Sequence, residues 1–226
     1  MSVSIYVIAA ICGNFWCEGG INSGIYESLK VTPDTAVYSH NTGGFGLGQW
    51  TNTGGNPYGR RYKLAQYLKE NNYSHDSFKG QIEYLFHEKA WHTLGKNQKQ
   101  FASEFPNFES FINSDRKDVR YLAKVFLCCW EGILNNTLEL RQDAAERCLS
   151  YIREHKDDSK KWKNVAGNRF LSVNERLNNA VCFYLVVKGL KNVGDGGDEP
   201  PEPEPPSEND FLYWFLLDWI EKGFLR

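Results

Sequence analysis

Apolar residues recur at helical spacing along most of this chain. Near the N-terminus, Ile5, Ile8, Ala9, Cys12, Phe15 and Trp16 share one face. That period predicts a helix over 3–18, stopped by Gly19-Gly20. The same run imitates a signal peptide, but no Lys or Arg precedes it and no A-x-A site follows, so it reads as a buried core helix. Further helical patterns fall at 60–70, 78–92, 116–131, 141–155 and 172–189. Leu122, Phe126, Cys129 and Ile133 form the clearest stripe, and Ala144, Ala145, Cys148, Leu149 and Ile152 form another. Residues 19–60 are rich in Gly, Asn, Thr and Pro. They predict a long functional loop region with a short hairpin. The expected class is therefore mainly α, an α+β chain with one small β hairpin.

The far end is organised differently. The charged stretch DDSKKWKN forms a joint, and GDGGDEPPEPEPPSEND over 194–210 lacks any apolar residue that could pack. The last sixteen residues, FLYWFLLDWIEKGFLR, predict a short apolar helix that needs a groove or a partner to cover it. The predicted organisation is a domain over 1–155, a helical extension over 156–193, a linker over 194–210 and an apolar helix over 211–226.

Composition narrows the function classes. Lys+Arg 26 against Asp+Glu 28 gives a formal charge of −2, which argues against a nucleic-acid partner. No apolar stretch reaches the roughly 18 to 20 residues of a membrane span. Aromatic residues make up 15%, enough to present rings to a ligand or to fill a ring-rich core. The six cysteines include no C-x-x-C and an adjacent pair, Cys128-Cys129. They read as reduced, buried thiols, with no zinc knuckle among them.

Two features carry candidate chemistry. Glu18 ends the first helix, where the negative end of the helix dipole and apolar walls such as Phe15 and Trp16 favour the protonated acid. A carboxylic acid that keeps its proton near neutral pH can donate it to a leaving-group oxygen. The second feature is Gly43-Gly44-Phe45-Gly46-Leu47-Gly48-Gln49-Trp50-Thr51. Its glycines let backbone lie close to a ligand. Gln49 offers an amide and Trp50 a flat face, both suited to a sugar with an acetamido group. A third Gly of a dinucleotide loop would fall at Gln49, so no such loop is present.

Together these motifs resemble the phage tail lysozyme family. Ile8-Ala9-Ala10-Ile11-Cys12-Gly13-Asn14 followed by Cys17-Glu18-Gly19-Gly20-Ile21-Asn22 is similar to the family's A-I-x-G-x-x-G-N…E-S-x-x-N-P run. Gly44 to Thr51 is similar to its G-(Y/F)-G-(L/I)-x-Q-W. Arg120-Tyr121-Leu122-Ala123, Phe126, Trp130-Glu131, Arg141 and Ala145 match a later pattern. The resemblance covers about 5–155. It implies a lysozyme-like fold, with 1–155 as the catalytic domain, and cleavage of bacterial peptidoglycan glycan strands without a cofactor. By the same resemblance Glu18 falls on the catalytic acid, Gln49 and Trp50 on the sugar-contacting strand, and the protein on a phage tail or outside the host cell. Other tail proteins are the implied partners.

Gly46 and Tyr58 join Gln49 and Trp50 as expected sugar contacts. The family's Ser after the acid is Gly19 here, and Gly132 stands where Arg-Pro follows the second Glu; Glu131 accordingly reads as a structural carboxylate. An activated water needs a second carboxylate further off. Glu27 and Asp34 are the two candidates, unless the sugar attacks itself and leaves an anhydro product, as in a lytic transglycosylase. A non-catalytic glycan-binding tail protein and a wall endopeptidase are the remaining alternatives. His87-Glu88 with His92 imitates a zinc motif, but five positions rotate the second His by roughly 140° on a helix, so no metal is expected. Cys17 as a nucleophile is opposed by the helix dipole, which raises a thiol's pKa at that end. Residues 170–190 and the last segment both resemble a helix that precedes the catalytic one in the family; one of them is expected to dock beside residues 5–17, the rival reading being the start of a second module.

Overall fold

A computed structural model describes residues 3–26, 43–52, 58–157, 165–167 and 170–190. The chain divides into two units, Met1–Val193 and Gly194–Arg226, and every described residue belongs to the first. The linker and the C-terminal apolar helix lie outside the described residues.

The fold is mainly helical. Helix α1 (Ile5–Gly19) starts at Ser4, whose hydroxyl accepts from the Tyr6 amide, and ends at Gly20 with φ +74°. All nine residues from Val7 to Phe15 are buried. A helix apolar on every side is a central one, and α1 is packed accordingly. Helix α5 (Val119–Cys129) and helix α6 (Leu138–His155) lie against it. Gly13 sets the spacing: a Cβ there would fall 2.5 Å from the Arg141 carbonyl oxygen and 2.6 Å from Ala145. Asn14 ties the same region together, donating from Nδ2 to the carbonyls of Ala10 at 2.9 Å and Ala123 at 3.1 Å.

Helix α7 (Val173–Leu190) also packs against α1 and α6. Phe183 meets Phe15 at 6.0 Å between ring centroids, and buried Asn179 donates to the Ile21 carbonyl at 2.8 Å. Of the two segments expected to dock beside residues 5–17, the one over 170–190 does so. The other lies outside the described residues.

Strands β1 (Gly43–Phe45) and β2 (Trp50–Asn52) form an antiparallel hairpin, pairing Gly43 with Asn52, Gly44 with Thr51 and Phe45 with Trp50. Tyr26 adds an isolated bridge to Phe45. Helices α2 (Arg60–Glu70) and α3 (Phe78–Glu88) follow. From α3, buried Gln81 accepts from the Leu47 amide at 2.9 Å and donates to the Ser23 carbonyl at 2.8 Å. One side chain thereby fastens the hairpin turn to the loop that follows α1.

Boundaries differ from the periodicity at a few points. Helix α3 ends at Glu88, because Lys89 takes a left-handed conformation with φ +47°. His92 is therefore off the helix, and the helical rotation argument does not reach it. Helix α5 begins at Val119, where Asp118 accepts from the Tyr121 amide. Ile133 falls beyond its end and is exposed. Short helix α4 (Phe108–Ile112), closed by an Asn107–Ser110 capping box, was not expected from the periodicity. Among the described residues no helix is long and apolar enough to cross a membrane.

Candidate active site

Three elements converge on one guanidinium. Arg141, in the first turn of α6, is almost wholly buried, and its Nε donates to the Thr137 hydroxyl at 2.9 Å. Its Nη1 reaches the backbone oxygen and side-chain oxygen of Asn14, both at 3.3 Å. From that fixed position Nη2 donates to Oε1 of Glu18, at the C-terminal end of α1. The same guanidinium lies 3.6 Å from Oε1 of Glu131, just beyond α5. Two carboxylates thus share one cation.

They share it unequally. The Glu18 side chain is 22% exposed and the Glu131 side chain 11%. Glu131 Oε1 is buried and accepts no hydrogen bond, and its distance from Arg141 is too long for one. Burial first, and the neighbouring Glu18 charge second, push the Glu131 acid up to about 8 against the pull of Arg141 and Arg60. The dipole-and-wall picture drawn for Glu18 is therefore incomplete: Phe15 faces the core, and the charge against Glu18 is Arg141.

A cleft of about 670 Å³ opens over these groups, with Glu18, Gln49, Thr51, Arg60, His92 and Glu131 in its wall. A second groove of about 450 Å³ runs past Trp16, Glu18, Leu140, Arg147 and Arg176. Glu18, Ile25 and Phe170 belong to both walls. Glu18 thus stands where the two grooves meet. Phe170 is 75% exposed there, and no spacing pattern had singled it out.

The other expected contacts distribute differently. Gln49 lies in the cleft wall, but its Nε2 is committed to the carbonyls of Gly46 at 3.0 Å and Ile25 at 3.3 Å. Its amide nitrogen braces the hairpin, and Oε1 is the atom left for a ligand. Trp50 is fully buried, so it is not a platform for sugar. Its ring packs against Phe15, Tyr84 and Trp130, and its Nε1 donates to Glu88 at 2.8 Å. Glu88 in turn holds Arg60 at 2.7 and 3.2 Å, and the Arg60 guanidinium lies 4.2 Å from the Trp130 ring centre. Through Glu88 and Arg60, Trp50 is linked to the cleft wall. Gly46, at φ +75°, is buried in the hairpin turn against Gln81. Tyr58 is exposed and meets Tyr62 edge-on at 5.1 Å, outside the wall of either groove. Glu27 and Asp34 lie outside the described residues.

All six cysteines are free thiols; five are buried and Cys17 is partly exposed. Burial, more than any charge, pushes the Cys17 thiol up.

The phage tail lysozyme family model matches residues 2–152. That span contains Glu18, Gln49, Glu131 and Arg141 and stops short of Phe170 and α7. No curated protein matches the chain.

Proposed function

Since this chain belongs to the phage tail lysozyme family, we propose that it cuts peptidoglycan glycan strands with Glu18 as the proton donor. The family supports a lysozyme-like peptidoglycan hydrolase role. The observation that favours Glu18 is its position at the junction of two grooves. A polymer lying along both grooves passes its linkage over that carboxyl group.

The pair chemistry supports the same reading. One guanidinium balances one negative charge, so two carboxyl groups around Arg141 favour a single shared proton. Burial favours Glu131 as its holder. The donor role asks that the shared proton pass to Glu18 once glycan fills the cleft. Glu18 then protonates the glycosidic oxygen as the anomeric carbon–oxygen bond breaks, and becomes the carboxylate. In hydrolysis water adds to the anomeric carbon and gives up a proton to a base, for which Glu27 and Asp34 are the proposals from sequence. In the lytic alternative a hydroxyl of the same sugar takes the place of water. Phe170 offers a ring for sugar stacking, and Oε1 of Gln49 an acceptor for an acetamido N–H. The proposed setting is a phage tail acting on the wall outside the host cytoplasm.

Glu18→Gln tests this. The Gln carbonyl still accepts from Arg141, so the melting temperature is expected to hold. Clearing of wall suspensions is expected to fall by about 10²–10⁴, the usual range for losing a general acid. Mass spectrometry of the digest reads the product: new reducing sugar ends for hydrolysis, anhydro ends for the lytic route. New amino groups without new sugar ends would overturn the glycosidase reading in favour of a peptidase. Glycan binding with no cleavage by the unaltered chain would leave a non-catalytic module.

A further inference from the structure

The groove on the far side of Glu18 carries charge that the bond cleavage does not use. Arg147, on α6, and Arg176, in the first turn of α7, both stand in its wall. Two acids share that wall, and both are committed: Glu18 to Arg141, and Asp143 to Arg120 at 2.7 Å. No carboxylate pairs with Arg147 or Arg176 among the described residues. Arg147 is exposed.

Arg176 is held in place by neutral groups. Its Nε donates to the Leu171 carbonyl at 3.2 Å, and its guanidinium lies 5.2 Å from the centre of the Trp16 ring. Gly20 leaves it room, since a Cβ at that position would lie 3.2 Å from Nε. A guanidinium fixed by a carbonyl and a ring keeps N–H groups for an incoming anion. The arginine also sits on α7, beyond the residues that the family model matches.

We infer that this groove selects glycan by its carboxylates, with Arg147 and Arg176 binding an acidic substituent of the sugar next to the cleaved bond. The inference rests on the glycan-cutting reading and deepens it. Muramic acid residues supply such carboxylates from two sources, the lactyl ether itself when free and the peptide attached to it. Both present the same planar anion to a guanidinium. A neutral amino-sugar polymer presents none.

The test is co-sedimentation with insoluble wall polymer, using the full chain carrying Glu18→Gln so that nothing is cut. Three matrices are compared: intact sacculi, glycan strands freed of peptide by an amidase and coupled to beads, and sacculi whose carboxyl groups have been converted to neutral amides. Intact sacculi are expected to bind about tenfold more tightly than the neutralised ones, with the difference shrinking in high salt. Arg147→Gln with Arg176→Gln is expected to lose that factor on intact sacculi and nothing on neutralised ones. Arg→Lys at both positions keeps most of the charge and controls for packing, as does the melting temperature. Retained preference on the peptide-free strands assigns the lactyl carboxylate; lost preference assigns the peptide. Equal binding to intact and neutralised sacculi overturns the inference, as does a double variant that weakens both alike. Cleavage is scored separately with Glu18 intact: no new sugar ends, beside arginine-dependent binding, would sink the catalytic reading and leave a groove that selects acidic glycan for binding alone.

Discussion

Replacing Glu131 by Gln should change how stability depends on pH. In the folded chain this acid is pushed from its ordinary 4.5 up to about 8, by burial first and by Glu18 second. Between those two values the native state holds a proton that the unfolded chain has released. Native protein therefore binds more protons, and stability falls as pH rises. The contribution is complete below about pH 4.5 and gone once pH has passed through about 8. At about 1.4 kcal/mol per tenfold, the whole displacement corresponds to a ceiling of about 5 kcal/mol. Gln is neutral and nearly isosteric, so it removes the titration and keeps the volume. Urea midpoints of both proteins at one-unit steps from pH 5 to 9 supply the measurement. The stability of wild type relative to the variant should decline steadily up to about pH 8 and then level off. A difference that stays flat over that range, or one that grows with pH, would refute the claim that burial keeps Glu131 protonated.

Other outcomes follow from the same arrangement. Gly13→Ala places a methyl group 2.5 Å from the Arg141 carbonyl oxygen; we expect a loss of about 1–3 kcal/mol in thermal or urea unfolding, together with loss of wall clearing as Arg141 shifts from Glu18. Iodoacetamide should label Cys17 alone in native protein, since the other five thiols are buried. The labelling should be slow at pH 7 and faster above pH 9, because burial raises this thiol. Peptide mass spectrometry showing several modified cysteines, or a rate independent of pH, would contradict that.

Much of the helical framework was readable from spacing alone, because buried faces must repeat every three to four residues. Glu18 was singled out by the resemblance; its position alone, between an apolar helix and a Gly pair, suits a solvated helix end as well. Its environment was not readable. Arg141 lies far along the chain, and only the packing of α6 on α1 brings it to Glu18. The resemblance named Arg141 and Glu131 as matching positions, but spacing could not say that one cation would serve two acids. Trp50 shows the opposite limit. Its residue type suits a sugar platform and a core equally, and Phe15, Tyr84 and Trp130 from three separate segments decide for the core. Phe170 and Arg176 were legible only as parts of a helix-like segment over 170–190, because their meaning depends on where α7 docks. That docking is set by contacts such as Phe183 on Phe15 and Asn179 on the Ile21 carbonyl.

The close approach at Gly13 makes the helix packing and the placement of the Arg141 guanidinium a single trait. Arg141 leaves α6 beside the seam where α1 admits no side chain larger than hydrogen, so any drift of that seam moves the guanidinium relative to both acids at once. Loops around the grooves can diverge to suit new walls. The helical seam has no such freedom, since its contact distance is set by Gly13, which has no side chain.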